Sequence, residues 1–183
     1  MNYRHHADAC HAYQILKAGG VPADNIVTMM YDDVASDSEN PFKGKLFNKP
    51  TKKGDAGVDV YDGCAIDYSK KAVTAKLFLS VLEGDAKAVQ QELAAQGADG
   101  TGKVLNSGPN DNVFVNFVDH GGSGIIEMPN GPEVTKKQLV ASLHKMHDAK
   151  RYKKLVFYME ACNSGSMFKS LPTDINVFAT TAA

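Results

Sequence analysis

The sequence predicts an α/β fold built on a mostly parallel sheet, and three observations carry that expectation. First, two apolar runs, Asn112-Val-Phe-Val-Asn-Phe-Val118 and Lys154-Leu-Val-Phe-Tyr-Met-Glu160, have the length and composition of buried parallel strands. Second, segments with helical apolar spacing alternate with strand-like runs along the chain. Third, both runs break into small and polar residues at their C-terminal ends: Asp119-His-Gly-Gly122 after one, Ala161-Cys-Asn-Ser-Gly165 after the other. In open α/β sheets that is the edge where ligands collect.

The elements follow in order. A first helix is predicted over residues 6–18, with Ala9, Ala12, Tyr13 and Leu16 on one buried face and Gly19-Gly20 and Pro22 as its stop. Ile26–Tyr31 reads as a buried strand ending on Asp32-Asp33. Residues 35–70 hold Pro41, Pro50 and four glycines with no sustained period, so they form a long loop, either functional or a mobile insertion. Thr74 caps a helix with Leu77, Phe78, Val81 and Leu82 inward, and Asp85 opens another that runs to about Gln96. After a polar linker over residues 97–112 comes the His120 strand. A small hairpin over Gly124–Pro132 is expected to turn at Asn130-Gly131. Thr135 caps a helix with Leu139, Val140, Leu143 and Met146 on its apolar face. The Cys162 strand, a helical turn near Ser166–Leu171 and a last strand over Ile175–Ala179 complete the chain. No internal repeat interrupts this order.

At 183 residues the chain forms one domain, 1–183, and its 43% apolar and 22% charged residues are ordinary for a globular protein. A net charge of −1 leaves no electrostatic footprint for nucleic acid or anionic membrane. No apolar run approaches the roughly 18 residues of a membrane span, and no signal peptide precedes Asn2. Three cysteines, an odd and sparse count, argue against a disulfide scaffold. No CxxC or His/Cys ligand spacing suggests a metal, and no Asn-x-Ser/Thr sequon is present.

The chemistry concentrates on Cys162 and His120. A thiolate is the reactive form of cysteine, and a nearby imidazole both lowers its pKa and returns the proton to a leaving group. Such a pair runs acyl transfer without metal or cofactor. The plainer reading makes Cys162 a small buried hydrophobe, but its place at a strand end beside Asn163-Ser-Gly-Ser166 argues against that. His120 is a catalytic candidate or a turn histidine. The N–H freed by Gly121, with that of Cys162, would make an oxyanion hole. Glu160 stands two residues before the thiol and either meets a positive group, with Arg4 as a candidate partner, or forms a plain surface ion pair. His5 and His6 precede the predicted first helix and stand within reach of a site. His11, His144 and His147 fall on helices and read as surface or interface residues.

Asn2-Tyr-Arg-His5, Ala7-Asp-Ala-Cys-His-Ala-Tyr-Gln14, Met29-Met-Tyr-Asp-Asp33, Asp119-His-Gly121, Glu160-Ala-Cys162 with Ser164-Gly-Ser-Met167, and Phe178-Ala-Thr-Thr-Ala-Ala183 occur in one chain and one order. Together they resemble the legumain family of asparagine-specific, caspase-like cysteine endopeptidases, family C13. The related transamidase that attaches glycosylphosphatidylinositol anchors shares the Asn-Tyr-Arg-His start, but its nucleophile segment usually reads Asp-Thr-Cys-Gln. The resemblance implies a caspase-like three-layer α/β/α sandwich, with Cys162 as nucleophile, His120 as general base and acid, and Asn2 orienting the histidine. It implies oxyanion donors at Gly121 and Cys162, and an asparagine pocket lined by Arg4, His5 and Glu160. It further implies polypeptide substrates, hydrolysis or transfer to an amine, a vacuolar or lysosomal setting, and an inhibitory C-terminal prodomain. Measured against the family, the chain is expected to be truncated at both ends. A central strand preceding Asn2, placed between Ile26–Tyr31 and Val113–Val118, would be absent.

Overall fold

The computed structural model describes residues 2–49, 51–54 and 57–183. Three parallel strands, β1 (Asn112–Val118), β5 (Lys154–Glu160) and β6 (Val177–Thr181), form the main sheet in the order β1-β5-β6. Among the described residues, four α-helices accompany it: α1 (Tyr3–Ala18), α2 (Ala75–Leu82), α3 (Ala86–Gln96) and α4 (Lys136–Asp148). This mixed α/β arrangement agrees with the caspase-like expectation.

Local chemistry accounts for most helix boundaries. The Thr74 hydroxyl accepts the Leu77 N–H at 3.3 Å, and the Asp85 carboxylate accepts that of Ala88 at 2.9 Å. Each satisfies a donor that the first helical turn leaves free. Thr135 and Gln138 form a reciprocal capping box on α4. α3 ends where Gly97 adopts φ +55°, a left-handed conformation that glycine takes without steric cost. α1 begins three residues earlier than its apolar spacing predicts, because Asn2 already occupies the N-cap position.

The alternating burial of β1 and β5 sends Val113, Val115, Phe117, Leu155, Phe157 and Met159 to one face of the sheet. There α2 and α4 cover them with Phe78, Leu139, Leu143 and Met146. On the opposite face Phe114, Tyr158 and Phe178 remain exposed. α1 contacts β1, with its N-terminus at the strand's C-terminal end. β6 starts two residues later than expected, since Ile175 is buried and its carbonyl accepts the Tyr152 hydroxyl at 2.8 Å.

Ile26–Tyr31 does not join the sheet. It is extended, but Met29 forms only an isolated bridge to Tyr68. The Met30 N–H donates to the Tyr68 carbonyl at 3.0 Å, and the Tyr68 N–H to that of Thr28 at 3.2 Å. The loop thus bonds one edge of this extended segment. A cavity of about 1130 Å³ lies between this segment and β1, where the resemblance places a central strand. Backbone groups of successive strand residues alternate sides. The bonds from Asp119 N–H to Glu160 and from Lys153 N–H to Asp111 assign odd-numbered β1 residues to β5. Asn112, Phe114, Asn116 and Val118 therefore turn their amides toward the cavity.

Two further expectations are corrected. Cys10 and Cys64 form a disulfide, Cα–Cα 5.6 Å. Cysteine count cannot reveal a single bridge between residues 54 positions apart. It clips α1 to the long loop, which packs a second core of Val34, Leu46 and Val60 around Ala7 and Cys10. The hairpin turn also differs. A small antiparallel sheet orders β2 (Gly121–Gly122), β3 (Ile125–Ile126) and β4 (Val134–Thr135), and its tight turn is Ser123-Gly124. Asn130 is drawn away instead, donating its side-chain amide to the carbonyls of Lys70 and Val73.

Candidate active site

β1 and β5 pair in parallel register, Val118 opposite Glu160, and the Asp119 N–H extends the ladder to the Glu160 carbonyl at 3.2 Å. His120 and Cys162 follow directly after this ladder, at the same C-terminal edge of the sheet. Both are exposed, and Cys162 is a free thiol. The main chain that follows Cys162 turns sharply, because Asn163 takes φ +54°. The N–H of Ser164 then closes onto the Ala161 carbonyl, and a short 3₁₀ turn runs over Ser164–Phe168.

That turn is fastened at two points. The Ser164 hydroxyl donates to the Ala183 carbonyl at 3.0 Å, and the Gly165 N–H donates to the same oxygen at 2.6 Å. The Ser166 hydroxyl donates to the Asn163 carbonyl at 2.6 Å while accepting the Gly124 N–H at 2.7 Å. The serines after Cys162 thus tie its turn to the small sheet on one side and to the end of β6 on the other.

Gly121 stands where a side chain has no room. A Cβ there would meet the Ala161 Cβ and the Cys162 carbonyl oxygen at 3.0 Å each. The Glu127 N–H bonds the His120 carbonyl, which makes Gly121–Ile126 a non-hydrogen-bonded pair of the antiparallel ladder. The Gly121 N–H accordingly points out of that ladder. The Cys162 N–H makes no hydrogen bond among the described residues.

The N-terminus of α1 meets this edge. Asn2 holds the N-cap position, where asparagine ordinarily bonds the first turn, yet it makes no side-chain cap bond. Its Oδ1 lies 3.1 Å from His120 Nε2 instead. Arg4 Nη1 reaches Glu160 Oε1 at 3.4 Å, with both side chains 55% exposed. His5 turns the other way and is buried. Its Nδ1 lies 3.3 Å from Asp119 Oδ1, and its ring meets that of His120 edge-on at 4.8 Å. The Asp119 carboxylate also accepts the His120 N–H at 2.7 Å. His6 is buried beside Asp33, and burial pushes its pKa below the ordinary histidine value against the pull of Asp33 and Asp32.

All the residues singled out in the sequence, Asn2, Arg4, His5, His120, Gly121, Glu160 and Cys162, thus converge at one sheet edge. His5 sits beneath it rather than facing solvent. Sequence reasoning gave Asp119 no role, although its carboxylate links His5 to the His120 backbone. Its place directly before His120 was the available signal.

The whole chain, residues 1–183, matches the family model of the peptidase C13 family. It is 50% identical over 182 residues to a mouse protein named legumain, covering 100% of this chain and 39% of the relative. It is 49% identical over 183 residues to the vacuolar-processing enzyme delta-isozyme of Arabidopsis thaliana, covering 100% and 36%. To a Schistosoma japonicum protein named hemoglobinase it is 49% identical over 183 residues, covering 100% and 39%. The chain therefore spans less than two fifths of the length of these curated relatives. With a family match from its first residue to its last, the chain belongs to the peptidase C13 family.

Proposed function

We propose that this chain carries the catalytic centre of a cysteine endopeptidase that cleaves after asparagine. The single observation behind this reading is the β1–β5 register, which brings His120 and Cys162 to one edge while Asn2 holds the imidazole from α1. In the reaction, His120 takes the thiol proton as Cys162 Sγ attacks the scissile carbonyl carbon. The N–H groups of Gly121 and Cys162 stabilise the resulting oxyanion. The carbon–nitrogen bond then breaks, His120 protonates the departing amine, and a thioester remains on Cys162. Water activated by His120 hydrolyses it, or a second amine attacks and a new peptide bond forms.

Arg4 and Glu160 offer charges of both signs to the carbonyl and amide ends of an asparagine side chain. His5 completes that pocket from below, through Asp119 and the His120 ring. The relatives' names, which include a vacuolar-processing enzyme and a hemoglobinase, support polypeptide substrates and a vacuolar or lysosomal setting. The Cys10–Cys64 disulfide supports passage through an oxidising compartment. By family likeness, a C-terminal prodomain would hold the enzyme inactive. The open cavity beside β1 favours a second reading, in which these residues by themselves do not turn over substrate.

Cleavage of a fluorogenic Ala-Ala-Asn peptide at about pH 5.5, below the ordinary histidine pKa, tests both readings. The wild type is compared with Cys162→Ala, alone and within a chain extended to the relatives' length. Turnover that disappears with the substitution supports the thiol mechanism. Equal turnover in the extended wild type and its variant rejects it.

A further inference from the structure

We propose that His5, Asp119 and His120 form a binding site for a divalent transition-metal cation of the zinc class. One ligand atom from each of the three residues lies within 4.8 Å of the others, at the meeting of α1 with the C-terminal end of β1. Two imidazoles and a carboxylate are a ligand set that zinc favours, and three protein ligands leave a fourth position for water.

The geometry is close to what the ion requires. With zinc–ligand bonds of about 2.0 Å, neighbouring atoms of a tetrahedral shell lie about 3.3 Å apart. His5 Nδ1 and Asp119 Oδ1 are 3.3 Å apart, so one edge of the shell is already formed. His120, exposed and in edge-on ring contact with His5, offers the third ligand atom within 4.8 Å of the other two.

His5 is 6% exposed and turns its Nδ1 to Asp119, so Nδ1 is its ligand atom, while Nε2 on the far side of the ring has no hydrogen-bond partner among the described residues. The carboxylate is positioned as well, because Asp119 Oδ1 accepts the His120 N–H, and such supporting bonds fix ligand orientation at metal centres.

The cation would bridge α1 to β1 and draw His120 away from Cys162. In that consequence alone the inference rests on the protease reading: the ion would act as a reversible off-switch on the general base. Binding releases any protons carried by the two imidazoles, since only the neutral ring ligates a metal.

Calorimetric titration of the full chain with zinc chloride reads the site without reference to turnover. Zinc binding at these residues, together with equal turnover in the extended wild type and its Cys162→Ala variant, would refute the protease reading and leave this one intact. The expected result is one ion per chain, retained in Cys162→Ala and weakened at least about 10-fold in both His5→Phe and Asp119→Asn. Circular dichroism checks each variant's fold, and if His5→Phe is unfolded the near-isosteric Asp119→Asn decides. Cobalt(II) substitution in the wild type supplies a second readout, in which the proposed ligands give no thiolate-to-cobalt charge-transfer band. Absence of stoichiometric binding, loss of binding in Cys162→Ala, or a strong thiolate band would overturn the proposal.

Discussion

Two regions of this molecule are held together by different physics, and the candidate site lies on the seam between them. The sheet region, β1, β5 and β6 beneath α2 and α4, rests on continuous parallel ladders and a large apolar core. Among the described residues, the region of α1 and residues 26–70 has almost no regular strand pairing. Its smaller core is held by the Cys10–Cys64 disulfide and by side chains that bond the backbone. Asn40, for example, donates to the Lys45 carbonyl at 3.0 Å and accepts the Phe42 N–H at 3.0 Å. Gln14 donates to the carbonyls of Val60 and Asp62. Cys162 and His120 belong to the first region, and Asn2, Arg4 and His5 to the second. The lesson is a division of labour: the ladder places His120 and Cys162, the proposed reacting pair, and the clipped region brings Asn2, Arg4 and His5 to them.

The largest effect that would break the contrast is in the sheet core. Phe157 is 0% exposed, and Phe157→Ala should cost about 3–5 kcal/mol, read as a lower denaturation midpoint. The loss should be global, because β5 pairs on both sides. Next in size is removal of the disulfide. Closing a 54-residue separation stabilises by about 2–4 kcal/mol, so Cys10→Ser should lower the melting temperature by that equivalent. Hydrogen exchange should quicken in residues 26–70 and stay slow in β1 and β5. Equal loss of protection in both regions would show that they are one cooperative unit.

Asn2→Ala sharpens the contrast at the seam. Asn2 makes no cap bond, so stability should change little, while loss of its hold on His120 should lower kcat on the order of 10- to 100-fold in the turnover-competent chain. A fall confined to KM would refute the orienting role.

The smallest effect is that of His6, whose folded pKa lies below the unfolded value of 6.5 because of burial. As pH falls below about 6.5, the unfolded chain takes up a proton that the native chain resists. Stability is therefore full above that value and declines as pH drops toward the folded pKa. Asp33 and Asp32 oppose the shift, while His5 and Lys70 reinforce it. His6→Gln should flatten this part of the stability–pH curve, as measured by chemical denaturation at several pH values.

Much of this architecture was legible in the sequence, because its causes are local. The apolar alternation of β1 and β5 appears in the residues themselves, as do the caps at Thr74, Asp85 and Thr135. The polar endings of the two strands by themselves point His120 and Cys162 to a common edge. Gly121 was legible as a candidate oxyanion donor, and only the structure shows the crowding of Ala161 and Cys162 that leaves no room there for a side chain.

The rest depended on partners far apart in the chain. Ile26–Tyr31 has strand composition, but whether an extended segment joins a sheet depends on which backbone lies beside it, and here Tyr68 does. The bridge between Cys10 and Cys64 depends on a loop folding back over α1, which no cysteine count expresses. Asn130-Gly131 has the composition of a tight turn, yet the carbonyls of Lys70 and Val73 claim its amide. The grouping of His5, Asp119 and His120 likewise needs α1 to dock on the end of β1. Sequence by itself determined β1, β5, the caps at Thr74, Asp85 and Thr135, and the proposed pair of His120 and Cys162, because periodicity and capping act within a few residues. Tertiary structure decided the disulfide, the cavity and the histidine–carboxylate cluster, because each is a contact whose energy exists only after distant segments meet.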